Sequence, residues 1–158
     1  MVVEYFEKPD NLYPTGLQLS LDTMDANKEH IILCVDDDPD DLHLLQIALK
    51  EVGSNHKIVE AYNGEEALIM LKEMKHNGNL PCLVVLDINM PKIDGKQTLV
   101  SIQKDEEMKS MPVVVFTTSS NPLDQLFFAK KNVEFITKPI QYNTMFEVAN
   151  RLLSFCKV

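Results

Sequence analysis

From residue 30 onward, short apolar runs alternate with stretches whose apolar positions recur every three or four residues. The runs at 31–35, 57–61, 82–86, 113–116 and 133–136 have the length of strands, and four of them are apolar almost throughout. A run without polar alternation suits a strand buried on both faces, as in a parallel sheet covered by helices. Between them, Asp38-Pro39 reads as an N-cap followed by proline at the first helical turn, with Asp40 and Asp41 placed to favour the positive helix end. That helix carries Leu42, Leu45, Ala48, Leu49 and Val52 on one face and stops at Gly53. Asn63, with Glu66 three residues on, opens a second helix through Leu71 and Met74 to near Gly78. Further helices are predicted over 95–104, over 122–131 and from Tyr142 to the end, the last burying Met145, Phe146, Val148, Ala149, Leu152 and Leu153. Five β–α units with right-handed crossovers make a doubly wound α/β sheet with helices on both faces.

The polar residues that end the runs give this fold its chemistry. Val35 is followed by Asp36-Asp37-Asp38, Leu86 by Asp87, Phe116 by Thr117, and Ile136 by Thr137-Lys138-Pro139. Open parallel sheets bind ligands just outside the carboxyl ends of their strands, so these residues are expected to converge. Asp38 suffices as a helix cap, which leaves Asp36 and Asp37 unexplained by capping alone. Neighbouring carboxylates repel and recruit a cation, and an oxygen-only set with room for water suits Mg2+. The expected ligands are Asp36, Asp37, Asp87 and the backbone carbonyl of Asn89. Lys138 has a reason to pair with the cluster, and Thr117 contributes a hydroxyl, although Thr118 beside it is an alternative.

Composition narrows the partners. The chain has 158 residues, 45% of them hydrophobic, and a net charge of −9. That length fits one domain, expected over 30–158, after an N-terminal extension over 1–29. Pro9, Pro14 and Gly16 break periodicity in the extension, which is expected to be flexible, while alternation at Leu17, Leu19 and Leu21 leaves a short strand or partner-binding segment open. The acidic balance argues against nucleic acid and anionic lipid, and no apolar stretch has the length of a membrane span. The first residues lack the pattern of a signal peptide, so the expected location is cytoplasmic. Cys34, Cys82 and Cys156 are far apart without metal-ligand spacing and are each expected to be reduced and structural. His30, His43, His56 and His76 likewise show no zinc spacing, and a solvated or half-buried role is expected for His43.

Taken together, Val35-Asp36-Asp37, Leu86-Asp87-Ile88-Asn89-Met90-Pro91 with Asp94-Gly95, Val115-Phe116-Thr117-Thr118 and Phe135-Ile136-Thr137-Lys138-Pro139 resemble the receiver domain of two-component response regulators, in matching order, over residues 30–156. The resemblance implies a flavodoxin-like sheet of order 2-1-3-4-5 in a single-domain, chemotaxis-regulator-like protein. It implies Asp87 as phosphoacceptor, with Mg2+ at Asp36 and Asp37 helped by the Asn89 carbonyl. Lys138 would pair with Asp87 and then with the phosphoryl group, Thr117 would bind that group after transfer, and Phe135 would change rotamer with it. A cis Lys138–Pro139 bond is implied too. Lys130-Lys131-Asn132 departs from the small-residue Ala-Gly turn of many receivers.

The implied donor is a sensor histidine kinase or histidine phosphotransfer protein. Apart from self-phosphorylation and autodephosphorylation at Asp87, no enzymatic activity is expected. Output is expected by docking to a downstream protein through a face carrying Phe135, Phe127 or Phe128, and Tyr142, with phosphorylation-dependent homodimerisation as one form of it. With no DNA-binding module expected after the last helix, DNA is not expected as the target. Two other readings are a haloacid-dehalogenase-like phosphohydrolase, whose motif wants aspartate where Asn89 stands, and a receiver-like binding module that takes no phosphate.

Overall fold

The computed structural model describes residues 29–156. The expected N-terminal extension therefore lies, apart from Glu29, outside the described residues. Strands β1 (Ile31–Val35), β2 (Lys57–Ala61), β3 (Leu83–Leu86), β4 (Val113–Thr117) and β5 (Glu134–Thr137) form one parallel sheet in the order β2-β1-β3-β4-β5. Helices α1 (Pro39–Glu51), α2 (Gly64–His76), α3 (Gly95–Lys104), α4 (Pro122–Lys130) and α5 (Met145–Phe155) connect and cover it. The expected doubly wound fold is the observed one.

Strand side chains alternate between two cores. Ile32, Cys34, Leu83, Val85, Val114 and Phe116 face Leu42, Leu45 and Leu49 of α1 and Met145, Ala149 and Leu152 of α5. Leu33, Val35, Val84, Leu86 and Val115 face Ala67 and Leu71 of α2, Leu99 and Ile102 of α3, and Phe128 of α4. Burial on both faces explains the unbroken apolar runs. Phe128 is fully buried, which removes it from the expected docking face. Phe127 beside it is half-buried, with the Lys96 ammonium 5.5 Å from its ring centre.

Helix starts follow the chemistry read from the chain. The Asp38 side chain accepts from the Asp40 amide, Asn63 from the Glu66 amide, and Asp94 and Gln97 cap each other reciprocally. Boundaries move by one to three residues: Cys82 precedes β3, β5 begins at Glu134, and Tyr142–Thr144 form a 3-10 turn before α5. Asn132 takes a left-handed backbone (φ 56°), so asparagine fills the turn position where a glycine was absent.

Two expectations fail. The described residues contain no cis peptide, so the Lys138–Pro139 bond is trans; the trans form is the lower-energy one for prolyl bonds, and Lys138 reaches its partners with it. Cys82 and Cys156 are joined in a disulfide rather than separately reduced, because α5 returns its last turn to the start of β3, 74 residues away in sequence. Cys34 is free and buried, as expected, and burial, followed by the charges of Glu60 and Asp36, pushes its thiol up to about 12.

Candidate phosphoryl-transfer site

The carboxyl ends of β1, β3, β4 and β5 place the predicted residues together. Asp36, Asp37 and Asp87 each offer a carboxylate oxygen within 4.8 Å of the others. Asp36 and Asp87 are buried, while Asp37 is exposed. Backbone bonds fix both strand ends: the Asp36 amide donates to the Ala61 carbonyl (3.0 Å) and the Asp87 amide to the Val35 carbonyl (2.9 Å). Asp36 Oδ1 accepts from the Asp38 amide at 3.0 Å, and Asp87 Oδ1 from the Ile88 amide at 2.8 Å. One oxygen of each buried carboxylate is thereby held, and its Oδ2 turns to the cluster.

Lys138 crosses from the end of β5 into this group. Its ammonium donates to Asp36 Oδ2 at 2.5 Å, to Asp41 Oδ2 at 2.7 Å and, more distantly, to Asp87 Oδ2 at 3.5 Å. The stronger partners are thus Asp36 and Asp41, where the resemblance implied Asp87 first. Asp41 is the residue the sequence reading missed as a site member. It sits in the first turn of α1 and was assigned to the helix dipole. Burial works against the Lys138 charge, but the hydrogen bonds to Asp36 and Asp41 and the charges of Asp87 and Asp36 outweigh it and raise the ammonium above its ordinary value. Burial pushes Asp36 up to about 6; Lys138 and the Asp38 amide pull it down, and Asp87 adds to the rise. Three carboxylates share one ammonium and Asp37 stands beside two of them, an acidic excess of the kind that recruits a cation. The donor set is hard oxygen throughout and includes one solvent-facing member, and both features fit a partly hydrated Mg2+ or Mn2+.

Thr117 is fully buried at the end of β4, and its carbonyl accepts from the Lys138 amide at 2.8 Å. Its hydroxyl accepts from the Ser119 amide at 3.2 Å. Ser119 Oγ in turn donates to Asp124 Oδ2 at 2.6 Å, and Lys96 of α3 holds Asp124 Oδ1 at 2.6 Å. These bonds to Lys96 and Ser119 keep the Asp124 carboxyl below its ordinary value despite burial. Thr118 is exposed and Thr117 is not, so burial separates the two alternatives. Phe135 is half-buried with its ring centre 6.1 Å from that of Phe128, and Asn89 is exposed in the loop after Asp87.

Gly95 closes that loop. Its amide donates to the Ile88 carbonyl at 2.8 Å, and a Cβ there would lie 2.2 Å from the Asp87 carbonyl oxygen. The sequence showed Asp94-Gly95 as a motif without its reason, which is this contact between a helix start and the backbone of Asp87.

Known proteins resemble this chain in sequence and fold. The response regulator Rcp1 of Synechocystis sp. is 31% identical over 134 residues, covering 83% of this chain and 91% of that protein. PilH of Pseudomonas aeruginosa is 29% identical over 124 residues, covering 78% and 97%. Among solved structures, the phosphorylated cyanobacterial phytochrome response regulator RcpA superposes with a TM-score of 0.74 at 32% identity, over 81% of this chain and 94% of that one. The Mn2+-bound form of Rcp1 gives 0.71 at 32% identity, over 80% and 93%. The family model of the response regulator receiver domain matches residues 32–150, and the chain belongs to that family.

Proposed function

We propose that this receiver accepts a phosphoryl group on Asp87 from a phosphohistidine of a sensor histidine kinase or histidine phosphotransfer protein, in a Mg2+-dependent reaction, and signals by docking to a protein. The observation that carries the reading is the convergence of Asp36, Asp37, Asp87 and Lys138 from the carboxyl ends of β1, β3 and β5. The Asp87 carboxylate is the nucleophile of an acyl phosphate, and Oδ2, whose contact to Lys138 is long, is the oxygen free to attack. Phosphoryl transfer needs positioning and charge neutralisation more than covalent assistance. Asp36, Asp37 and Asp87, with the Asn89 carbonyl, would hold Mg2+, which when bound supplies part of that neutralisation. Lys138 supplies the rest by following the new charge from the carboxylates to the phosphoryl oxygens. Thr117 then donates a hydrogen bond from its hydroxyl to the phosphoryl group, and Phe135 moves into the space vacated.

The docking face takes Phe135, Phe127 and Tyr142; Leu123 and Leu126, in the same helix as Phe127, are exposed. The proposed location is cytoplasmic, where kinase partners present phosphohistidine; no helix among the described residues is long and apolar enough to cross a membrane.

Incubation with Mg2+ and acetyl phosphate, followed by intact mass, tests the reading. One labile phosphate adduct is expected on the native chain and none on Asp87→Asn. Labelling of Asp87→Asn at the native rate would remove Asp87 as acceptor, and the complete absence of label would favour a binding-only module. Sustained release of phosphate from organic monoesters would point to a hydrolase instead.

A further inference from the structure

The opposite end of the sheet carries a second cluster that phosphoryl transfer does not use. His30, His56 and Cys82 immediately precede β1, β2 and β3, three neighbouring strands. The register Ile31↔Lys57 and Ile32↔Leu83 sets His30 beside His56, and Cys82 beside Ile31, whose carbonyl accepts the Cys82 amide at 2.8 Å. Helix α5 runs back across the sheet and ends at Cys156, whose Cα lies 4.9 Å from that of Cys82. A ring nitrogen of His56 and the sulfurs of Cys82 and Cys156 all lie within 4.8 Å of one another. Strands of four and five residues, at about 3.3 Å per residue, separate this cluster from the aspartates.

The histidine is arranged as a ligand is. Its Nδ1 is 2.8 Å from Ser54 Oγ, which orients the ring. Its Nε2 is buried and has no hydrogen-bond partner, one of only two such side-chain atoms among the described residues. A buried polar atom without a partner is uncommon and calls for an occupant. Metal-ligating histidines ordinarily engage one ring nitrogen with a neighbouring oxygen and give the other to the ion. Two cysteine sulfurs with one imidazole make a soft donor set, found in zinc proteins with an open fourth position.

We propose that Cys82, Cys156 and His56 Nε2 form a site for a thiophilic divalent cation, of which Zn2+ is the type, available when the Cys82–Cys156 disulfide is reduced. A dithiol reductant delivers two electrons and two protons to the disulfide and is itself oxidised to a cyclic disulfide, leaving two thiols. Both thiols then lose their protons to solvent as two sulfur–metal bonds and one nitrogen–metal bond form and waters of the hydrated ion leave. The fourth position falls to water or to His30, whose ring centre is 6.1 Å from that of His56. A disulfide is at odds with a reducing compartment, and there the metal would take over the link between α5 and the start of β3.

The test uses the full chain, reduced with a dithiol, desalted without oxygen and titrated with Co2+ in the presence of Mg2+. Thiolate ligation gives near-ultraviolet charge-transfer absorption that carboxylates cannot produce. Support is a band saturating at one Co2+ per chain, bleached by Zn2+, absent from the oxidised protein, and requiring at least about tenfold more Co2+ in His56→Ala. Circular dichroism checks the fold of that variant, and if it does not fold, Ser54→Ala takes its place with about tenfold weaker binding expected. The proposal is overturned if reduced native protein gives no band, if oxidised protein gives the same band, or if whichever variant folds binds Co2+ as the native chain does. None of these results bears on phosphate labelling of Asp87.

Discussion

Replacing Gly95 with alanine sets two effects against each other. Alanine favours helix over glycine by up to about 1 kcal/mol, and less at a first helical position. Against this, the new Cβ would sit 2.2 Å from the Asp87 carbonyl oxygen, 2.8 Å from Ile88 Cα and 3.1 Å from the Asp87 carbonyl carbon. Ordinary contacts begin near 3.4 Å, so the nearest atom must move by about 1.2 Å. All three neighbours are backbone, so no rotamer change relieves the contact. Overpacking of this kind costs about 1–3 kcal/mol, which exceeds the propensity gain and leaves a net loss of about 1–2 kcal/mol. For a domain of this size that lowers Tm by about 3–6 °C. The effect on labelling is the sharper one, because the displaced backbone carries the proposed nucleophile. A shift near 1 Å in a reacting group costs on the order of 100-fold in rate. Thermal melts, with acetyl phosphate labelling followed by mass well below the variant's midpoint, measure both. A Gly95→Ala protein that melts at or above the native temperature and labels at the native rate would refute the reasoning.

Three further outcomes are expected. Mg2+ or Mn2+ should raise the melting temperature, by the equivalent of about 2.7 kcal/mol at a hundred times Kd; Asp37→Asn, at a position that is exposed and has no side-chain partner among the described residues, should alter metal-free stability by less than about 0.5 kcal/mol yet shrink that increment. An unchanged increment would exclude Asp37 as a ligand. Lys138→Met leaves Asp36, Asp41 and Asp87 without their cation, and urea titration should show a loss of about 2–3 kcal/mol in the absence of metal, at the lower side of buried pairs because Asp41 is partly exposed. Asp124, held below its ordinary value by Lys96 and Ser119, contributes stability that is complete above the unfolded carboxylate value of about 3.9 and is lost as pH falls through the lower folded value. The stability gap between the native chain and Asp124→Asn should therefore be flat at neutral pH and close in acid, and a gap that widens in acid would contradict the sign.

The sheet and the residues gathered at its carboxyl edge were readable because a buried parallel strand has a local signature: an unbroken apolar run, with polarity resuming where the strand leaves the core. Asp36, Asp87, Thr117 and Lys138 each sit at such a resumption. Asp41 escaped because its first-turn position already explains an acidic residue, and only the path of Lys138 gives it a second role. The cysteine pair escaped for a topological reason, since 74 residues separate two positions that meet only when α5 has crossed the sheet. The adjacent phenylalanines of α4 posed a different difficulty. Neighbouring helical positions point about 100° apart, so a pair of identical side chains does not reveal which faces the core.

The hydroxyl of Thr117 has one proton to give and two lone pairs to share. The Ser119 amide occupies a lone pair, and among the described residues nothing accepts the proton. A new acceptor beside Asp87 can therefore be engaged without releasing Ser119, and any travel of the threonine is passed down the line as tension. Ser119 is knotted to Asp124 and Asp124 to Lys96, so the pull arrives at the first turns of α4 and α3 together. On the proposed function, valine at position 117 would keep the bulk and cut the cord, and the variant is expected to take phosphate from acetyl phosphate without changing its docking.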